Sequence, residues 1–177
     1  MQKPKITKSV GFAAIARPDA RVFILGSLPG KVSLERRQYY AQPRNTFWRI
    51  MEEITGATPE LSYDERILQL KENGVALWDV CAAGYRPGSL DSAIELSTVV
   101  ANDFGKFFST HPHISLICFN GSKSAEIYRR IVTPELPSKF QAIPHKILPS
   151  TSPAHAAMSF EQKLSRWRTA LLACNRP

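Results

Sequence analysis

The sequence predicts an α/β fold, with three layers (α/β/α) around a central, mainly parallel sheet of four strands. Two observations carry this. Four short apolar runs, ending at Leu25, Val80, Phe119 and Leu148, each give way to a loop rich in Gly, Pro or Ser. Segments with helical spacing separate those runs, and strands alternating with helices build parallel sheets covered on both faces. At 177 residues with 44% apolar content, the chain is long enough for one well-buried core. A single domain over residues 1–177 is therefore expected, with 1–20 as an N-terminal arm.

Each element has its own signal. Residues 1–20 hold no regular pattern, and Phe12 and Ile15 are placed to tack the arm to the body. Arg21–Gly26 reads as a buried strand closed by glycine. About twenty residues then pass before the next periodic segment, where a structural connection normally needs two to six. Within that stretch Gly26-Ser27-Leu28-Pro29-Gly30-Lys31-Val32-Ser33 is no P-loop, because its glycines are too close and Val32 separates Lys31 from Ser33. No helix is expected directly after it. Phe47, Ile50, Met51 and Ile54 fall on one helical face, with Gly56 as the C-terminal cap. Ser62 and Glu65 form a capping box for a helix ending at Gly74. Val75–Cys81 reads as the second strand and 82–92 as a second Gly/Pro/Ser loop. Asn102 is placed to cap a short helix carrying Phe104, Phe107 and Phe108. Ile114–Phe119 is the third strand, with a helix over 123–132. Ile147 and Leu148 end the fourth strand, and a capping box of Ser159 and Gln162 starts a last amphipathic helix with Leu164, Trp167 and Leu171 on one face.

Composition narrows the function. Lys plus Arg number 23 against 15 Asp plus Glu, a net charge of +8 that favours polyanionic partners such as DNA or RNA. Cys81, Cys118 and Cys174 lie far apart with no C-x-x-C pair, which argues against iron–sulfur and zinc sites. The same odd count, with a charged Met1–Lys5 and no apolar leader, points to a reducing cytosol and no membrane segment.

In parallel sheets, ligands bind beyond the carboxyl ends of the strands. The four long loops all follow strands, so one rim gathers Tyr40, Asn45, Asp79, Asn120, Ser150 and His155. Tyr39 and Tyr40 offer a stacking surface, although one of two adjacent tyrosines normally packs inward. Asn45 either holds a ligand or water, or simply caps the helix that follows. Asp79 can anchor the 82–92 loop through backbone N–H groups, and His155 can be an ordinary surface imidazole. Acyl chemistry is disfavoured because no G-x-S-x-G occurs. Arg36, Arg37, Arg44 and Arg86 on the rim suit phosphate contacts.

From about Ala20 to Leu172 the chain resembles the uracil-DNA glycosylase superfamily, and more narrowly its hypoxanthine (deoxyinosine) DNA glycosylase branch. The marks are Ile24–Gly30, Tyr39–Trp48, Leu77–Cys81, Gly88–Ser92, Phe119–Gly121 and Leu148–His155, in that order and each after a strand. Mismatch-specific uracil/thymine glycosylases carry G-x-N/D-P-G in the first loop, where the polar third residue helps place water. Here that residue is Leu28. The hypoxanthine branch uses the asparagine of its P-R-N segment instead, which is Asn45. Relatives carry Asn-Pro-Ser where this chain has Ser150-Thr151-Ser152, and their intercalating wedge falls near Ala154, a poor wedge.

The resemblance implies a monofunctional glycosylase that hydrolyses the N-glycosidic bond of deaminated bases in DNA, without metal or other cofactor, as a cytoplasmic monomer. It implies a catalytic Asn45 that positions water and a His155 that offsets the charge of the leaving base. Tyr40 stacks on the extruded base, Asn120 reads its edge, and Gly26, Ser27 and Phe47 complete the base pocket. Ser150, Thr151 and Ser152 join the four arginines in binding DNA. The alternatives are a uracil/thymine mismatch enzyme, a non-catalytic nucleic-acid-binding module on the same scaffold, and an enzyme of free nucleotides.

Overall fold

The computed structural model describes residues 8–173, so Met1–Lys5 and Cys174 lie outside it. The arm expected to be patternless opens with a short strand, β1 (Ser9–Val10). Phe12 and Ile15 do pack against the body. β2 (Val22–Gly26) is buried throughout. α1 (Lys31–Arg36) corrects the expectation of open loop, for it begins directly after Gly30 and stops at Arg37, whose backbone is left-handed (φ 53°). At six residues, with few apolar positions, it carries too little periodicity to be read from sequence. The spacing that excludes a P-loop is unaffected.

α2 (Phe47–Thr55) buries Phe47, Ile50 and Met51 and ends on Gly56 at φ 77°, the left-handed cap expected there. α3 (Tyr63–Glu72) opens on the Ser62/Glu65 capping box. β3 (Val75–Asp79) and β4 (Cys81–Gly84) divide the single strand expected over 75–81. The division is made by backbone bonds: Val80 and Cys81 donate to the carbonyls of Gly26 and Ser27, and the chain turns out of the main sheet. β5 (Val100–Ala101) precedes α4 (Phe104–Thr110), which is capped by Asp103 accepting from Lys106 N rather than by Asn102. β6 (Leu116–Asn120), α5 (Ser122–Ile127), the short α6 (Ser138–Gln141) and β7 (His145–Leu148) follow. α7 (Phe160–Leu172) opens on the Ser159/Gln162 capping box.

The main sheet has the order β3-β2-β6-β7 with every pair parallel. Side chains alternate across it, as the pleat requires. Phe23, Leu25, Ile117 and Phe119 face a cluster with Phe104, Phe107, Phe108 and Ile127 from α4 and α5. Val22, Ile24, Leu77 and Cys118 face the other way, onto Phe47, Ile50, Leu70 and Trp167 from α2, α3 and α7. Burial of both faces is why these strands read as unbroken apolar runs. This is the three-layer α/β/α architecture. A smaller antiparallel sheet, β1-β4-β5, flanks it. Because β3 lies on one side of β2 and β6 on the other, the chain reverses direction between β2 and β6. A crevice opens there at the carboxyl ends of the strands.

Candidate active site

A cavity of about 390 Å³ occupies that crevice, within the usual range for ligand pockets. The strand ends and the loops beyond them line it: Gly26 to Ser33 at the end of β2, Asp79 at the end of β3, Arg86 after β4, Asn120 at the end of β6, and Ser150 to Ala154 after β7. Tyr40, Arg44 and Asn45 close it from the segment ahead of α2.

The two tyrosines divide as one facing in and one facing the cavity. Tyr39 is 3% exposed; it donates from its hydroxyl to Ala13 O at 3.2 Å and accepts at its carbonyl from Trp48 Nε1 at 2.9 Å. Tyr40 lies flat on Phe47, with centroids 4.1 Å apart and 25° between planes, so Phe47 backs the ring rather than lining the cavity. The division comes from a turn, not from extended backbone, since Tyr40 sits at φ 53°. Burial pushes the Tyr40 phenol far above its ordinary range, and its hydroxyl lies beside Asn120 without a well-formed hydrogen bond among the described residues.

Asn45 fastens the start of α2 and stands on the cavity wall. Thr46 holds the N-cap position of α2 without a side-chain capping bond, its Oγ1 donating instead to Thr151 O at 3.3 Å, while Asn45 Oδ1 accepts from Phe47 N at 2.9 Å. The amide is thereby oriented, its Nδ2 has no partner among the described residues, and Asn45 lines the cavity. Asn120 is more heavily committed. Its Oδ1 accepts from Thr151 N and its Nδ2 donates to Thr151 Oγ1, both at 2.9 Å, so the amide pins the β7 loop to the end of β6. Thr151 itself is fully buried, and its carbonyl accepts from Thr46 N, which joins this loop to the start of α2. Trp167 Nε1 braces the same loop from α7 by donating to Pro149 O at 2.9 Å. Gly121, at φ 91°, lets Ser150 approach: a Cβ at 121 would stand 3.1 Å from Ser150 Cβ.

The family model described as the uracil DNA glycosylase superfamily matches residues 13–173. The chain belongs to the uracil DNA glycosylase superfamily. It is 36% identical over 158 residues to a hypoxanthine DNA glycosylase of Methanosarcina acetivorans, covering 89% of this chain and 94% of that protein. It is 36% identical over 164 residues to the hypoxanthine DNA glycosylase of Methanosarcina barkeri, covering 92% and 98%. A solution NMR structure of a candidate uracil DNA glycosylase from Methanosarcina acetivorans superposes with a TM-score of 0.79 at 33% identity, covering 96% of this chain and all of that one.

Leu28, the third residue of the first loop, is 4% exposed and packs into the apolar cluster on the α4 side. Arg86, expected at the surface, is buried instead. Its guanidinium donates to Pro29 O and to Asp91 Oδ1, the latter at 3.1 Å, and Ser27 Oγ donates to the same Asp91 oxygen at 2.8 Å. It braces the first loop against the second, a use that its place in a Gly/Pro/Ser loop did not announce. Arg44 is exposed at the cavity edge, whereas Arg36 and Arg37 are exposed at the end of α1 and do not line the cavity. His155 also stands outside the lining. Its carbonyl accepts from Lys163 Nζ at 2.7 Å, and its Nε2 is buried without a partner among the described residues. Ser150 and Ser152 accept at Oγ from the N–H groups two residues on, each at 3.2 Å, and thereby shape their loop.

Asp79 is the site residue that sequence reasoning undervalued. It does not anchor the 82–92 loop; Asn102 Nδ2 donates to its carbonyl at 2.8 Å, and its Oδ2 has no hydrogen-bond partner among the described residues. It is 4% exposed on the cavity wall. Burial and then the nearby Asp91 charge push its carboxyl up to about 7, against a smaller opposing pull from Arg86. The available sequence signal was one charged residue ending an otherwise apolar strand.

Proposed function

We propose that this chain is a monofunctional DNA glycosylase that hydrolyses the N-glycosidic bond of deaminated bases, hypoxanthine first. The observation that carries this is the cavity lined by Tyr40 and Asn45, with Tyr40 stacked on Phe47, in a chain 36% identical to two hypoxanthine DNA glycosylases. A glycosylase takes its base out of the stack and holds it against an aromatic face. Tyr40, stiffened by Phe47, supplies that face. Departure of the base leaves an oxocarbenium-like sugar, which the neighbouring phosphates stabilise, so a firm grip on DNA is part of the chemistry. Asn45 Nδ2 positions the attacking water or steadies the cationic sugar; an amide is no strong base, so the water's proton passes to solvent or phosphate. Leu28 weighs against a uracil-preferring enzyme, because no side chain there can place water.

The partner in this reading is DNA containing deaminated bases, met by a cytoplasmic monomer. Arg44, Arg36 and Arg37 contact phosphates, and Ser150 and Ser152 shape the loop facing the strand. Arg44→Ala is expected to reduce the slope of log affinity against log salt by about one unit, as one lost phosphate contact does. Titrating a fluorescent duplex at several salt concentrations checks this, and an unchanged slope removes Arg44 from the interface.

The deciding test of function uses end-labelled duplexes carrying a single inosine, uracil or xanthine, treated with the protein and then with alkali. Strand scission is expected with inosine above the others. Tight binding without abasic sites on any of them would instead establish a non-catalytic binding module.

A further inference from the structure

Asp79 closes the paired end of β3 opposite Gly26 of β2, where the cavity meets the sheet. Its Oδ2 is sealed from solvent and takes no hydrogen bond, and Arg86, the nearby cation, is spent on Asp91 and Pro29. An ionised carboxylate kept this way lacks the donors that would stabilise its charge, whereas a carboxylic acid needs only one acceptor. The backbone has been cleared for the group: a Cβ on Gly26 would stand 2.3 Å from Asp79 Oδ1. A buried, unsatisfied acid on the wall of a binding cavity, given room by a glycine, is costly to the fold and useful to a ligand.

Building on the glycosylase reading, we propose that Asp79 is the acid of the reaction, delivering a proton to N7 of the extruded purine. As the C1′–N9 bond breaks, its electron pair passes into the base. The carboxyl proton goes to N7, and the base leaves as neutral 7H-hypoxanthine. Water adds its hydroxyl to C1′ and releases its proton to solvent, and the Asp79 carboxylate recovers a proton from solvent. Pyrimidines have no N7, so the same acid favours hypoxanthine over uracil.

The groups that act electrostatically on this carboxyl are Asp91 and Arg86 from the loop after β4, while Tyr39, Tyr40, Tyr63 and Cys81 feel its charge from the elements around it. An acid must be protonated to act. Excision by the wild type is therefore expected to fall as pH rises through about 7, where the folded protein gives up this proton.

The test is single-turnover excision, from pH 5.5 to 9, of duplexes carrying deoxyinosine or 7-deaza-deoxyinosine, which lacks the N7 acceptor. The wild type is expected to be slower on the 7-deaza duplex by on the order of 10²-fold or more. Asp79→Ala is expected to be equally slow on both and to lose the alkaline decline, as is Asp79→Asn, which keeps the shape but cannot deliver a proton. Thermal melts of both variants at pH 8 should match or exceed the wild type, since they remove an unsatisfied buried acid. Excision of the 7-deaza base at the inosine rate by the wild type overturns the acid role. So does a variant that stays folded and remains as sensitive to 7-deaza substitution as the wild type. Absence of excision from every deaminated duplex overturns the glycosylase reading and the acid with it.

Discussion

Gly26→Ala is expected to lose excision by on the order of 10²-fold while destabilising the protein by about 1–3 kcal/mol. The new methyl would stand 2.3 Å from Asp79 Oδ1 and 2.9 Å from the Tyr40 hydroxyl, closer than real side chains approach. Neither neighbour can retreat freely. Tyr40 is held by its stack on Phe47 and by left-handed backbone, and Asp79 is paired in register with residue 26. Relief therefore comes from turning the carboxyl, lifting the tyrosine or parting β2 from β3, and each deforms the cavity. Urea unfolding and single-turnover excision of an inosine duplex measure the two effects. Adding Asp79→Ala should recover part of the stability, because the closer of the two collisions disappears. A Gly26→Ala protein that excises inosine at the wild-type rate would mean that the base never approaches this end of the cavity.

Asn45→Ala should reveal two separable losses. The bond from Phe47 N to Asn45 Oδ1 fastens the first turn of α2, and its removal is expected to cost about 1 kcal/mol, a fall of roughly 2–4 °C in melting temperature. The missing Nδ2 donor is expected to lower single-turnover excision by about 10²–10³-fold, the usual result of deleting one preorganised donor. Asn45→Asp separates the effects, since its carboxylate still accepts from Phe47 N but offers no donor. It should melt with the wild type and excise with the alanine variant. If Asn45→Ala stays folded and excises at the wild-type rate, the residue is a helix fastening and nothing more.

Most of the architecture was readable from the chain because its determinants are local. A strand buried on both faces must be apolar at successive positions, so β2, β3 and β6 announce themselves. Both capping boxes lie within four consecutive residues, and Gly56 stands where its helix must end. Once the strands are known to be parallel, their following loops must share one edge. That rule is why the sequence alone places Tyr40, Asn45, Asp79 and Asn120 on one rim, and all four line the cavity.

The tertiary structure decided how the polar atoms on that rim are used. Asn120 is typed by sequence as a free amide at a strand end, yet Thr151, 31 residues on, takes both of its polar atoms. Arg86 reads as a surface charge until Asp91 and Pro29 O enclose it, and His155 belongs to the rim loop but not to the cavity. The break after Asp79 has the same origin. Nothing in an apolar run marks where Val80 and Cys81 will bond to the carbonyls of Gly26, the last residue of β2, and Ser27 just beyond it. Periodicity and capping are properties of neighbours in the chain. The raised pKa of Asp79 comes from its burial and from Asp91, and the pairing of Asn120 joins it to Thr151, 31 residues on; both are set by how the loops pack against each other, not by neighbours in the chain.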